Sequence, residues 1–113
     1  MITIYHNPRC SKSRECLQLM ELENIPFSVV KYLNEPLTKA ELKDIIKKLD
    51  IKPIELVRQK ETVWIENYKG KQLADNEVID ALATHPVLIE RPIVINGNKA
   101  VIARPAEKVK EIL

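Results

Sequence analysis

The sequence contains little cysteine, little net charge and no long hydrophobic run. Two cysteines among 113 residues are too few for the disulfide framework of a small secreted protein. A net charge of +2 is far below the basic excess typical of nucleic-acid-binding domains. No apolar stretch approaches the roughly 18 residues of a membrane span. The N-terminus shows no signal-peptide pattern, so we expect a cytoplasmic protein that binds neither nucleic acid nor membrane.

The length and composition favour one folded domain. A chain of 113 residues has the size of a single domain, and its 45% of hydrophobic residues can form one modest core. The sequence has no internal repeat and no low-complexity segment. We therefore expect residues 1–113 to fold as one domain. In a reducing cytoplasm Cys10 is expected to be a thiol or thiolate rather than half of a structural bridge.

The first third of the chain is typical of a strand, a helix and a second strand. Residues 2–5 form a short β-prone run, residues 11–24 are predicted to be helical, and residues 27–30 form a second apolar run. This order indicates a right-handed parallel crossover. The inward side chains of the helix are expected to be Cys16, Leu17 and Met20.

The middle of the chain is predicted to be a block of helices. Thr38 and Glu41 have the spacing of a capping box, and the apolar residues after them recur at helical intervals. Short helices are expected over residues 53–58, 61–68 and 76–83. This block is predicted to be an insertion over about residues 37–90.

The last part of the chain is predicted to form a hairpin followed by a helix. Residues 92–95 and 100–102 are β-prone, and the Asn96-Gly97 pair between them is a strong hairpin signal. Pro105 suits the first turn of a final helix. The complete order is βαβ, a helical block and ββα. It predicts an α/β fold with a thioredoxin-like core, a mixed four-stranded sheet and a helical insertion.

Cys10 stands in the stretch YHNPRCSKSR, between the first strand and the first helix. A helix N-terminus carries roughly half a positive charge and unpaired N–H donors, which stabilise a thiolate. Arg9, Lys12 and Arg14 act in the same direction and would attract an anionic substrate. A cysteine with these polar neighbours is a poor core residue. We therefore interpret Cys10 as a reactive thiol.

No other motif in the sequence supplies a partner for Cys10. Cys16 lies in the apolar stripe of the helix, roughly 9 Å and 240° away along the helix, so an internal disulfide is disfavoured. Position 16 is also where a tyrosine-phosphatase loop would require arginine. Ser13 occupies the position that a C-x-x-C redox pair would require. The histidines and cysteines lack the spacing of a zinc site, so no metal is expected. A second thiol must come from outside the chain.

Two stretches of the sequence resemble the signatures of a known family. YHNPRCSKSR and the later ERPIVINGNKAVIARP look like the two motifs of the glutaredoxin-dependent arsenate reductases, with the LVRQK stretch between them. The resemblance covers the whole chain and is closest to a compact branch of that family. The related Spx-type regulators, which bind RNA polymerase, generally carry C-x-x-C at this position. Ser13 departs from that pattern, which disfavours an Spx-like regulator.

The resemblance implies a role for individual residues. Cys10 matches the nucleophile that attacks arsenic, and Pro92 matches the cis-proline of thioredoxin-like folds. Three arginines match those that hold the oxyanion, and two of them, each directly before a proline, are biased toward extended backbone. These arginines are Arg58, Arg91 and Arg104. Three further residues match positions around the thiolate, namely His6, Ser13 and Arg14.

The resemblance implies an enzyme that reduces arsenate to arsenite, with glutathione as co-substrate and glutaredoxin as the protein partner. No bound cofactor or metal is implied, and we expect a monomer. Three alternatives stay open from the residues alone. One is a thiol oxidoreductase of the same fold with another substrate, one is an Spx-like regulator, and one is an interaction module without catalysis.

Overall fold

The computed structural model describes residues 2–113, which group into two compact units. The first unit combines the chain up to Glu35 with Arg91–Leu113, and the second is Pro36–Glu90. The second unit contains the segment that the sequence predicts as an insertion over about residues 37–90. No helix among the described residues is long and apolar enough to cross a membrane.

A four-stranded sheet forms the centre of the first unit. Its strands are β1 (Ile2–Tyr5), β2 (Phe27–Val30), β3 (Ile93–Asn96) and β4 (Lys99–Ile102), in the order β2-β1-β3-β4. β1 pairs with β2 in parallel and with β3 antiparallel, and β3 pairs with β4 antiparallel. The mixed four-stranded sheet, with a helix between β1 and β2 and a helical segment after β4, confirms the predicted fold class. The hairpin turn between β3 and β4 holds Gly97 at φ +64, a conformation that glycine adopts without steric cost.

Helix α1 (Ser11–Leu22) connects the two parallel strands and covers one face of the sheet. Its fully buried side chains include Cys16 and Met20, which pack in one hydrophobic cluster with residues of β1 and β3. Burial of this apolar surface is the main favourable term that holds helix and sheet together.

The last segment of the first unit differs from the predicted α-helix. Ala106–Ile112 form a 3₁₀ helix that packs in the same cluster as α1. The physical reason lies in the spacing of the buried residues, Ala106, Val109 and Ile112, which recur every third position. A 3₁₀ helix has three residues per turn, so this spacing places all three side chains on one face.

The second unit consists of helices and short 3₁₀ turns. The helices are α2 (Lys39–Leu49), α3 (Thr62–Asn67) and α4 (Asp75–Thr84), and the 3₁₀ segments are Pro53–Leu56 and Pro86–Leu88. α2 and α4 pack against each other through their apolar faces, since the two helices together bury Leu42, Ile45, Ile46, Val78, Ile79, Ala81 and Leu82. The predicted helical block is thus confirmed, with bounds shifted by one or two residues.

The predicted capping box at the start of α2 is confirmed. The Glu41 N–H donates to Thr38 Oγ1 at 3.1 Å, and the Thr38 N–H donates to Glu41 Oε1 at 3.0 Å. These two bonds satisfy backbone donors that have no partner within the helix. A second side-chain contact stabilises this unit, because Trp64 and Tyr68 stack with ring centroids 5.1 Å apart.

Candidate active site

A tight turn places Cys10 at the N-cap of helix α1. The Cys10 backbone N–H donates to the Asn7 carbonyl at 3.0 Å, and Pro8 and Arg9 lie between them. The Asn7 side chain strengthens this turn, because its Oδ1 accepts the Arg9 N–H at 3.0 Å. Asparagine followed by proline is typical of such turns. The strand therefore ends, the chain reverses, and the helix begins directly after the thiol.

Two side chains of the first helical turn hydrogen-bond to the backbone of this loop. The buried Ser13 Oγ accepts the Asn7 N–H at 3.0 Å, and Arg14 Nη1 donates to the Pro8 carbonyl at 2.9 Å. Ser13 and Arg14 thus stabilise the conformation of the Cys10 loop. Asn7 was not among the predicted site residues. The signal for Asn7 in the sequence is its position before Pro8, which is typical of a turn.

The environment of Cys10 lowers the pKa of its thiol. Burial is the largest single influence and raises the pKa. Hydrogen bonds from the Ser13 backbone N–H, the Arg91 side chain and the Lys12 backbone N–H, together with the charge of Arg91, outweigh burial. The direction is the one expected for a thiol at a helix N-terminus beside a cation. Cys10 is partly exposed, so the thiolate is open to a substrate.

His6 lies buried at the end of β1, and its backbone N–H donates to the Val30 carbonyl at 2.9 Å. Burial is the main cause that lowers the pKa of His6, and the charges of Lys31 and Arg14 lower it further. His6 is therefore a neutral imidazole at pH 7. Within residues 2–113 its Nδ1 atom has no hydrogen-bond partner.

Arg91 is the arginine that contacts the reactive thiol. Only 9% of its surface is exposed, and its side chain hydrogen-bonds to Cys10. Arg91 directly precedes Pro92, and the peptide bond between them is cis, as the resemblance predicts. The Ala103 N–H donates to the Pro92 carbonyl at 2.9 Å, which ties the ends of β3 and β4 together beside this arginine. A nearly buried guanidinium beside a thiolate can stabilise the thiolate and a bound anion.

Arg104 follows strand β4 and is half-buried. It also precedes a cis proline, Pro105, which the sequence did not predict. Across residues 2–113 its guanidinium makes no ion pair and no hydrogen bond. It therefore keeps all its donors available for a ligand.

Arg58 belongs to the second unit, where its backbone and its side chain are both held. Its N–H donates to the Leu88 carbonyl at 2.7 Å. Its guanidinium Nε donates to Glu61 Oε1 at 3.2 Å, and its Nη1 lies 3.8 Å from Glu90 Oε1. The convergence of Arg58 and Arg104 on an anion site at Cys10 stays a prediction.

Cys16 lies six residues after Cys10 in an environment of the opposite kind. It has no exposed surface and packs in the hydrophobic cluster of the first unit. Burial raises the pKa of the Cys16 thiol to about 11. A neutral buried thiol is a core side chain, in agreement with the interpretation from the sequence. No group of three histidine, cysteine or carboxylate residues within the described part of the chain could hold a metal ion.

Comparison with known proteins identifies the family. The ArsC family model matches residues 5–112 of the 113. The chain belongs to the ArsC family. A Haemophilus influenzae protein named arsenate reductase is 45% identical over 99% of this chain and 98% of its own length. A Neisseria meningitidis protein of the same name is 43% identical over 99% and 97%.

A solved structure shows the same fold as this ArsC-family chain. The arsenate reductase from Vibrio cholerae superimposes with a TM-score of 0.94 at 44% identity, covering 99% of this chain and 97% of its own. The thioredoxin-like fold expected from the resemblance is confirmed.

Proposed function

We propose that this ArsC-family protein reduces arsenate to arsenite, with Cys10 as the nucleophile and glutathione as the reductant. The observation that carries the proposal is the contact between Cys10 and Arg91, in which a thiol with a lowered pKa hydrogen-bonds to a nearly buried guanidinium. A thiolate and a fixed cation together suit a reaction in which sulfur attacks the centre of an oxyanion. Membership of the ArsC family supports arsenate as that oxyanion.

The guanidinium groups of arginine residues are expected to bind the substrate. Arsenate at neutral pH is a tetrahedral anion, and a guanidinium holds such oxygens through two parallel charge-assisted hydrogen bonds. Arg91 is next to the thiol, and the guanidinium of Arg104, which has no partner among residues 2–113, offers further donors. Arg58 is the third arginine that the family pattern assigns to the anion.

The first chemical step forms a sulfur–arsenic bond. The Cys10 thiolate attacks arsenic(V), and one arsenate oxygen takes up protons and leaves as water. The product is a Cys10–arsenic(V) thioester, in which no atom has yet changed oxidation state. Arg91 stabilises the negative charge of the oxygens that remain on arsenic.

The second step transfers two electrons. A glutathione thiolate attacks the Cys10 sulfur, the sulfur–arsenic bond breaks, and its electron pair stays on arsenic. Arsenic falls from the +5 to the +3 state and leaves as arsenite, while Cys10 and glutathione form a mixed disulfide. Both electrons come from the two thiols, so the balance closes without a bound cofactor.

Glutaredoxin is proposed to complete the cycle by thiol–disulfide exchange with the Cys10–glutathione disulfide. The buried, neutral Cys16 is unsuited to this task, because the attacking species is a thiolate. The protein is therefore proposed to work in the cytoplasm, where external thiols are kept reduced.

A reconstituted assay tests the proposal. The protein is mixed with arsenate, reduced glutathione and glutaredoxin, and arsenite is quantified over time. We expect arsenite release that depends on all three additions. The Cys10→Ser variant should release none, and the Cys16→Ala variant should retain most of the rate.

Two other outcomes would contradict the proposal. Removal of glutathione from a glutathionylated peptide without arsenite release would indicate a thiol oxidoreductase with another substrate. No turnover with either substrate, in a protein whose circular dichroism shows the folded state, would indicate a module without this chemistry.

A further inference from the structure

The guanidinium of Arg58 already has carboxylate partners in the second unit. Glu61 Oε1 accepts the Nε proton at 3.2 Å, and Glu90 Oε1 lies 3.8 Å from Nη1. The three side chains are only 24%, 28% and 27% exposed, so water screens these contacts less than it would at an open surface. An arginine assigned to an oxyanion is thus flanked by two negative charges. That arrangement requires an explanation.

The backbone holds all three residues in place. Val57 and Ile89 form an antiparallel bridge, and the hydrogen bonds on its two sides join the Arg58 N–H to the Leu88 carbonyl and the Glu90 N–H to the Leu56 carbonyl. This bridge sets Glu90 beside Arg58.

Glu61 is placed by a turn, because its N–H donates to the Arg58 carbonyl at 3.1 Å just before helix α3. The ion pairs are therefore consequences of the fold. Backbone hydrogen bonds, rather than side-chain flexibility, bring the charged groups together.

We propose that Glu61 and Glu90 form a carboxylate clamp, which orients Arg58 and neutralises it until an oxyanion takes over its donors. The proposal rests on the proposed function, since it assumes that Arg58 binds the substrate. Within the cluster of one guanidinium and two carboxylates the net charge is −1. An arriving dianion must overcome that charge as well as replace the carboxylate contacts. The clamp therefore lowers the affinity of the enzyme for oxyanions while it keeps Arg58 in position.

The two effects of Glu61 are separable by substitution. Glu61→Gln retains an oxygen that accepts the Nε proton but removes the negative charge. Glu61→Ala removes the charge and the hydrogen bond together. If the clamp acts as proposed, the glutamine variant keeps Arg58 oriented in a more positive site, and the alanine variant loses that orientation.

The glutamine variant is expected to bind arsenate more tightly. Its KM for arsenate should fall roughly two- to tenfold, with kcat changed little, as expected from the loss of one partly screened repulsion. Glu61→Ala should show a higher KM than Glu61→Gln. Glu90→Gln should shift KM in the same direction as Glu61→Gln but less, because 3.8 Å is a longer contact. The gain should shrink at high salt, which screens the repulsion.

A matched control removes the same charge from the same region. Glu66 lies on α3 and is exposed. Glu66→Gln changes the net charge by the same amount without touching Arg58. It should leave the KM for arsenate unchanged, which separates the clamp from a general charge effect.

The decisive experiment measures binding without turnover. Inorganic arsenate is titrated by calorimetry into proteins that all carry Cys10→Ser, with Arg58→Ala, Glu61→Gln or Glu66→Gln added. We expect weaker binding with Arg58→Ala, tighter binding with Glu61→Gln and no change with Glu66→Gln. Melting temperatures confirm that each variant is folded, and Glu90→Gln replaces Glu61→Gln if the latter is not.

Two results would overturn the clamp and are distinguishable from failure of the proposed function. Equal or weaker binding with Glu61→Gln, while Arg58→Ala still weakens binding, refutes the clamp and leaves Arg58 as an oxyanion ligand. Unchanged binding with Arg58→Ala removes Arg58 from the site and the clamp with it. Arsenite release by the unmodified protein would survive both results.

Discussion

Cys10 at the N-cap of α1 and Cys16 within α1 are the same residue type, yet their environments give them opposite chemistry. Cys10 is at the N-cap, where two backbone N–H groups and Arg91 stabilise its negative charge. Cys16 is enclosed by apolar side chains that disfavour its charge. The position of a thiol relative to the helix start and the core therefore decides whether it reacts.

The first prediction concerns the ionisation of the two thiols. The Cys16→Ser variant, which keeps Cys10, should show a thiolate transition below the free-cysteine value of about 8.5. The Cys10→Ser variant, which keeps Cys16, should show none until well above that value. Ultraviolet thiolate absorbance as a function of pH measures both. A Cys10 transition at or above the free value would contradict the electrostatic account.

The second prediction concerns the role of Cys16. Cys16→Ala should retain most of the arsenate reductase rate and lose on the order of 1 kcal/mol of unfolding free energy, because a small buried side chain is removed. Steady-state kinetics and urea unfolding measure the two effects. A folded Cys16→Ala protein as inactive as Cys10→Ser would make Cys16 the resolving thiol and remove glutathione from the second step.

The third prediction follows from the raised pKa of Cys16. Between the unfolded pKa near 8.5 and the folded pKa of about 11, the unfolded chain loses this proton and the folded protein keeps it. Stability conferred by the neutral thiol is thus complete below the unfolded pKa and falls as pH rises through this window, by roughly 3 kcal/mol. Urea unfolding at a series of pH values should show that the unfolding free energy falls less with rising pH in Cys16→Ala than in the unmodified protein. If the unfolding free energies of the two proteins fell in parallel with pH, the Cys16 thiol would not be the cause of the loss.

The sequence predicted the positions of the two cysteines but not the contacts that residues distant in the sequence make around Cys10. The N-cap position of Cys10 and the buried position of Cys16 were both predicted, because turn signals and helix periodicity act locally. The charge that lowers the pKa of Cys10 is that of Arg91, which lies far from Cys10 in the sequence. The three hydrogen bonds through which Asn7 shapes the loop were not predicted, and one of them depends on Ser13 six residues away. The partner of Arg91 likewise depends on which strands become neighbours.

At the scale of elements, local signals defined the starts of helices well. The capping box of α2 is built from residues three apart, so its geometry follows directly from the sequence. The final segment was predicted as an α-helix. Pro105 and the inward apolar residues indicate a helix but do not distinguish an α-helix from a 3₁₀ helix. Only its repeat of three, carried by Ala106, Val109 and Ile112, distinguishes the 3₁₀ form.

The fourth prediction tests the start of α2. Thr38→Ala removes the side-chain oxygen that accepts the Glu41 N–H and should cost about 1 kcal/mol of unfolding free energy. Thr38→Ser keeps a hydroxyl there and should recover most of the loss. Urea unfolding followed by circular dichroism measures both. Equal losses in the two variants would show that the cap hydrogen bond is not the cause.

At the scale of the whole molecule, the sequence predicted the order of elements and the mixed sheet, because the crossover from β1 through α1 to β2 and the hairpin from β3 to β4 are short and follow known rules of chain connection. It placed the three arginines on different elements but gave no distances between them. The structure resolves the contact of Arg91 with Cys10. The common anion site of Arg58, Arg91 and Arg104 rests on the family pattern.

The fifth prediction tests that common site. Replacing Arg58, Arg91 or Arg104 by alanine should each remove charge-assisted hydrogen bonds worth roughly 1.5–3 kcal/mol, or about tenfold to a few hundredfold in kcat/KM for arsenate. Arginine-to-lysine variants should recover only part, because lysine cannot make the forked contact.

An exposed lysine of α2 provides the control, and Lys47→Ala should change little. A structure with bound arsenate or sulfate tests the geometry. An anion near Cys10 that fewer than two of these guanidiniums reach would contradict the site.

In the proposed reaction Cys10 is the redox thiol of the chain, and the second thiol comes from glutathione. Intact mass spectrometry after a single turnover with arsenate and glutathione, without glutaredoxin, tests it directly. We predict a mass gain of one glutathione, located on Cys10 by peptide mapping, together with one equivalent of arsenite. A Cys10–Cys16 disulfide formed with arsenite and without bound glutathione would contradict the account.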